Sequence, residues 1–133
     1  MKHLLPFVTG FVTFMVISSG YYVGLTEMPT GVCFSAEPNM AMMLLANIMF
    51  VALTCYVIQL GGNYTAATGA KHGAFVALTA NGFLNLLFLA MFTCFTTAQV
   101  VQDILVNIPM MAATGAAVAF MYARGEAKTA AVA

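Results

Sequence analysis

Polar and charged positions along this chain are gathered into narrow bands between four apolar runs. No charged side chain occurs in Leu4–Thr26, Pro38–Ala70, Gly73–Gln102 or Ile104–Ala123. The runs show no sustained period-two alternation, which argues against strands and a membrane barrel. Each reaches the roughly 20 residues that a helix rising about 1.5 Å per residue needs to cross a bilayer core. The pattern predicts helices at Leu4–Leu25, Asn39–Leu60, Lys71–Thr93 and Thr97–Tyr122. The expected fold is all-α: an integral membrane four-helix bundle forming a single transmembrane domain over residues 1–133.

Composition reinforces that reading. The chain is 62% hydrophobic and 6% charged, whereas soluble domains carry about 25% charged residues to cover their core. Between the runs, Thr26–Pro38 reads as a short exterior loop and Gly61–Ala70 as a flexible interior one. The tail after Arg124 reads as disordered beyond its contact with headgroups. Asn63-Tyr64-Thr65 fits a glycosylation sequon, but on a cytoplasmic loop it is a chance match.

Charge then orients the bundle. Four crossings place Lys2, Lys71, Arg124 and Lys128 on one side, while Glu27, Glu37 and Asp103 lie in or beside the alternate gaps. Basic residues mark the cytoplasmic face, so the expected topology is N-in and C-in, with both termini cytoplasmic. Lys2, an apolar core and Ser18-Ser19-Gly20 also fit a secretory signal. The apolar stretch exceeds a usual signal core, so the first helix is expected to be retained as a span. Tyr21 and Tyr22 fit an outer interface, and Tyr56 and Tyr122 an inner one.

Candidate chemistry rests on the few polar groups held at depth. Gln99, Asp103 and Asn107 recur every four residues and form one stripe on the fourth helix, with Thr114 roughly continuing it. Pro109 is expected to interrupt that helix by removing the hydrogen bond to the Leu105 carbonyl. Asn81 and Asn85 lie one turn apart on the third helix, and Asn47 lies on the second. Asp103 reads either as a proton or cation site, or as an acid favoured in the first turns by the helix dipole. The asparagines read as interhelical hydrogen-bond partners or as substrate ligands.

Small residues mark helix-contact faces: Gly20 with Gly24, Gly69 and Gly73 with Ala77, and Gly115 among Ala112, Ala116 and Ala119. Cys33 in the outer loop and Cys94 at the outer end of the third helix are placed for an exterior disulfide, and Cys55 lies toward the inner end of the second. His3 and His72 both fall at the inner surface, so no mid-membrane pair is available to a bundled haem. No spacing suggests a metal site, a thiol oxidoreductase or a phosphate loop, and four scattered basic residues make no nucleic-acid surface.

Gly73-Ala74-Phe75, Asn81, Asn85, Phe95, Asp103-Ile104 and the Gly/Ala-rich end, with Gly20-Tyr21-Tyr22 from the first half, resemble small four-span bacterial inner-membrane proteins of unknown function. That resemblance implies a multi-pass location in a bacterial inner membrane and no particular activity. The expected function is therefore non-enzymatic and without cofactor: an accessory or assembly subunit whose partners are the lipid bilayer and a larger membrane protein complex or homo-oligomer. The competing expectation is a small oligomeric transporter or channel using the Asp103/Asn107 stripe and the Pro109 break.

Overall fold

The computed structural model describes residues 3–24 and 39–130, the side chains of 128–130 excepted. Lys2, Glu27, Cys33, Glu37 and the loop expected to be exterior, which carries the last three, lie outside the described residues. Among the described residues the secondary structure is helical: α1 Leu4–Gly24, α2 Met40–Gly61, α3 Ala66–Val76, a π-helical turn Ala77–Asn81, α4 Gly82–Met91 and α5 Thr97–Ala130. With the π turn included, α3 and α4 form one continuous span. Four helices are thus long and apolar enough to cross a membrane: Leu4–Gly24, Met40–Gly61, Ala66–Met91 and Thr97–Ala127.

Local chemistry explains where the helices begin and end. Asn39 caps α2, its side chain accepting from the Met42 N–H at 3.1 Å. Gly62 ends α2 in the left-handed region at φ 64, where its N–H reaches the Gln59 carbonyl, and a residue with a Cβ is disfavoured there. Thr65 and Thr68 form a reciprocal capping box that starts α3 at Ala66. The loop between α2 and α3 is therefore only Gly62–Thr65, and helix begins five residues before the expected Lys71. Thr65, read from sequence as part of a sequon, serves as the cap.

The other boundary correction concerns the tail. Helix α5 runs on to Ala130, eight residues past Tyr122, instead of fraying into a disordered end. Ala and Lys favour helix intrinsically, and the continuous ladder extends them from the membrane span. Arg124 lies over the Phe120 ring at 4.6 Å, supporting that last stretch. Helix α5 also passes through Pro109 without a break.

Packing is organised around α5. Gly69 and Gly73 let the backbone of α3 lie directly on α5. A Cβ at Gly73 would come within 1.9 Å of the Met111 carbonyl oxygen, and one at Gly69 within 2.2 Å of that of Gly115. Such contact replaces the hydrophobic drive that lipid cannot supply between helices. Phe14, Val51, Ile58, Met111, Val118 and Tyr122 belong to the buried core. Thr54 and Thr114 are fully buried, and each donates to the carbonyl four residues back, of Phe50 and Met110, which removes the cost of an unpaired hydroxyl. Large apolar residues such as Val16, Met49, Leu60 and Phe83 face outward, as lipid solvation allows.

The π turn sets the register of the third span. At about 100° per residue, an unbroken α-helix would place Asn85 about 160° around the axis from Gly69. The one extra residue of a π turn takes back about 100°. The Gly82 N–H reaches five residues back to the Ala77 carbonyl, and the Thr79 hydroxyl donates to the Phe75 carbonyl at 2.7 Å. As a result, Gly69, Gly73, Ala77, Asn81 and Asn85 share the side that meets α5.

Candidate functional site

That register brings two amides onto one carboxylate. Asn81 Nδ2 donates to Asp103 Oδ2 at 3.0 Å, and Asn85 Nδ2 donates to the same oxygen at 2.9 Å. Asn85 also donates to the Asn81 side-chain and main-chain oxygens, at 3.1 and 3.0 Å, so the two asparagines hold each other's orientation. From α1, the Tyr22 hydroxyl donates to Asp103 Oδ1 at 2.5 Å. Asn107 then donates to the Tyr22 oxygen at 3.1 Å and to the Asp103 carbonyl at 3.0 Å. Three spans are joined at one acidic side chain.

The Asp103 partners among the described residues are all neutral donors. They solvate the carboxylate much as water would, which lowers the cost of holding it within a span. A carboxylate offers about four acceptor positions. Three are used here, two on Oδ2 and one on Oδ1. Beside the cluster, Gln102 donates to the Tyr21 hydroxyl at 3.1 Å, and the Tyr21 and Tyr22 rings meet edge-on.

The expected residues divide clearly. Asp103, Asn107, Asn81 and Asn85 converge. Gln99 does not join them: its side chain turns back to the Thr96 N–H at 3.0 Å while Thr96 Oγ1 accepts from the Gln99 N–H, a capping box at the start of α5. The sequence carries that signal as Thr-x-x-Gln, and the i, i+4 spacing to Asp103 masks it. Asn47 lies apart, its Nδ2 3.6 Å from Met15 Sδ. Gly73, Ala77 and Gly115 are buried, whereas Cβ atoms built at Gly20 and Gly24 meet nothing within 4 Å.

Tyr22 is the residue that sequence reasoning missed, since its position near a helix end read only as an interface anchor. A second cluster at the opposite end of the bundle was missed for the same reason. Gln59 Nε2 donates to the Tyr122 hydroxyl and lies 2.9 Å from His3 Nδ1. The Tyr64 ring stacks on Tyr122 with centroids 5.1 Å apart, and His3 approaches it at 6.0 Å. His72, also at this end, rests against Gly61, and its Nδ1 is buried without a hydrogen-bond partner.

The chain matches no protein-family profile, no curated protein and no solved structure. Cys55 is a free, buried thiol and Cys94 is disulfide-bonded. The expected partner of Cys94, Cys33, lies outside the described residues. Two open, largely apolar depressions flank the bundle. One, of about 550 Å³, lies between α1 and α5 beside Gly20 and Pro109; the other, of about 400 Å³, lies at the Tyr122 end.

Proposed function

We propose that this chain is a non-enzymatic accessory subunit that packs through its α1–α5 face against a transmembrane helix of a larger membrane protein. The observation that carries the reading is the open Gly20–Gly24 face. The chain uses glycines four residues apart at Gly69 and Gly73 to bring backbones into contact, and it repeats that spacing on α1 with no neighbour there among the described residues. The face adjoins the groove lined by Ile17, Leu105, Val106 and Pro109. Small residues beside an apolar groove suit a helix that must approach closely in lipid. The Asp103 network supports the same reading, because its donors are spent within the bundle.

The membrane placement that goes with this proposal follows the basic residues. His3, Gln59, Tyr64 and Tyr122 meet at one end, so the N-terminal end of α1, the α2–α3 loop and the C-terminal part of α5 share a side. Lys71, near the start of α3, and Arg124, near the end of α5, lie toward that side, and the positive-inside rule makes it cytoplasmic.

A small transporter is the second reading, favoured by one observation: the Asp103 carboxylate has no basic partner among the described residues. Purification from native membranes in mild detergent separates the two. The subunit reading expects a larger membrane protein in stoichiometric amount, lost on Gly20→Leu. Recovery of a homo-oligomer alone, with proton or cation flux abolished by Asp103→Asn, would select the transporter.

A further inference from the structure

We infer that two copies of this chain associate through the first half of α2, each copy's Asn47 amide meeting the other's across a two-fold axis. This goes beyond the subunit reading, which concerns the α1–α5 face, and does not depend on it. Helix α2 packs along one stripe. Val51, Thr54, Cys55 and Ile58 are buried, and all lie in its second half. Asn47 stands one turn before Val51 and continues that stripe. Beyond it the packing stops. Every residue from Met40 to Ala46 is exposed, including Met43 and Leu44, at 46% and 45%, which share the Asn47 side of the helix. The bundle holds the second half of α2 and leaves the first half uncovered by the described residues.

Asn47 lies at that boundary, half-buried, about 10 Å along the axis from the start of α2 at Met40. Its hydrogen bonding is poor for that depth. Asn81, Asn85 and Asn107 each donate to oxygen, whereas the amide of Asn47 meets Met15 Sδ at 3.6 Å and no oxygen or nitrogen among the described residues. A thioether is a weak acceptor. Turning the amide over leaves the same deficit, because its oxygen then faces a sulfur that cannot donate. An amide left so in hydrocarbon is costly, and it favours association with another span.

The chemistry of the site selects a second copy. An amide is donor and acceptor at once. Two Asn47 side chains facing each other across a two-fold axis therefore satisfy one another, and no further polar group is required. A different protein would have to bring a polar residue of its own to that depth. The run Pro38–Ala70 carries no charge, so like copies meet without repulsion. Met40 and Met43, on the same side of the helix, supply flexible apolar surface that adapts to its own image.

Energy transfer between purified full chains, carrying donor or acceptor dye at the C-terminus, tests the proposal in phosphatidylcholine vesicles at several protein-to-lipid ratios. Transfer is expected to follow acceptor fraction as a dimer requires. Asn47→Leu keeps the size of the side chain and removes its hydrogen bonds, and is expected to weaken the dimer about tenfold. Gly20→Leu, on the α1 face, is expected to leave transfer unchanged. A second arm keeps Asn47 in place and so does not depend on that variant folding. A benzophenone amino acid at Met43 is expected to crosslink to α2 of a second copy. The same probe at Met49, about 200° around the helix from Asn47, is expected to reach lipid alone. Transfer at the level of random encounter, transfer unaltered by Asn47→Leu, or crosslinks from Met43 to lipid alone would each overturn the proposal.

Discussion

The Tyr22 hydroxyl donates to Oδ1 of Asp103 at 2.5 Å, joining the first span to the fourth across 81 positions of sequence. Because Asn107 donates to the Tyr22 oxygen and the two third-span asparagines hold Oδ2, the bond is one link of a polarised chain. Removing one link is expected to weaken the others. In a double-mutant cycle, Tyr22→Phe and Asp103→Asn should each cost roughly 1–2 kcal/mol, with a coupling energy of about 1 kcal/mol. The readout is reversible unfolding in mixed micelles. Strict additivity would mean that the two side chains act separately.

The backbone contact between α3 and α5 makes a sharper comparison. A methyl group at Gly73 collides with a main-chain oxygen that no rotamer can move, whereas one at Gly20 meets no atom of the described residues within 4 Å. Gly73→Ala should therefore destabilise by about 2 kcal/mol or more, and Gly20→Ala should stay within about 0.5 kcal/mol of the parent. Equal effects in the same unfolding assay would refute the packing described.

The π turn predicts an unusual tolerance. Deleting Leu78, an exposed residue inside the turn, lets the segment relax to α-helix with Gly73 and Asn85 still on one face. That deletion should fold and remain monodisperse. Deleting Leu105, also exposed but inside α5, rotates Asp103 about 100° away from Met111 and Gly115 and should not fold. Size-exclusion profiles of the two deletions decide it, and failure of both, or survival of both, counts against the register argument.

Thiol counting tests the exterior disulfide. The chain has three cysteines, and a Cys33–Cys94 bond would leave Cys55 as its one free thiol. Alkylation of denatured, unreduced protein should add one label, and reduction should raise this to three. In the folded protein Cys55, 6% exposed, should react slowly. Three labels without reductant would exclude the bond.

Comparison of sequence and structure turns on the range of the forces involved. The spans were legible because solvation by lipid acts on every residue of an apolar run, so length and charge alone predict them. The cap at Thr65 and the box at Thr96–Gln99 are written locally, but the i, i+4 spacing of Gln99 to Asp103 and Asn107 fits a polar stripe equally well and masks its cap. The π turn has no such mark. Ala77-Leu78-Thr79-Ala80-Asn81 is ordinary helix sequence, and its extra residue is stabilised by what lies on either side of it: glycines that must meet α5 and asparagines that must meet Asp103. The partners of Tyr22 and Tyr122 were not legible, because an interfacial tyrosine satisfies the same pattern whether its hydroxyl meets water or a partner 81 or 63 positions away.

The subunit reading is tested most directly at the open face of α1. A photoreactive benzophenone amino acid at position 20, introduced in living cells and irradiated in intact membranes, should crosslink the chain to a transmembrane segment of one larger membrane protein. The same probe in place of Phe83, on the lipid-facing side of α4, should not. Crosslinks from position 20 only to lipid, or only to a second copy of this chain, would contradict the account.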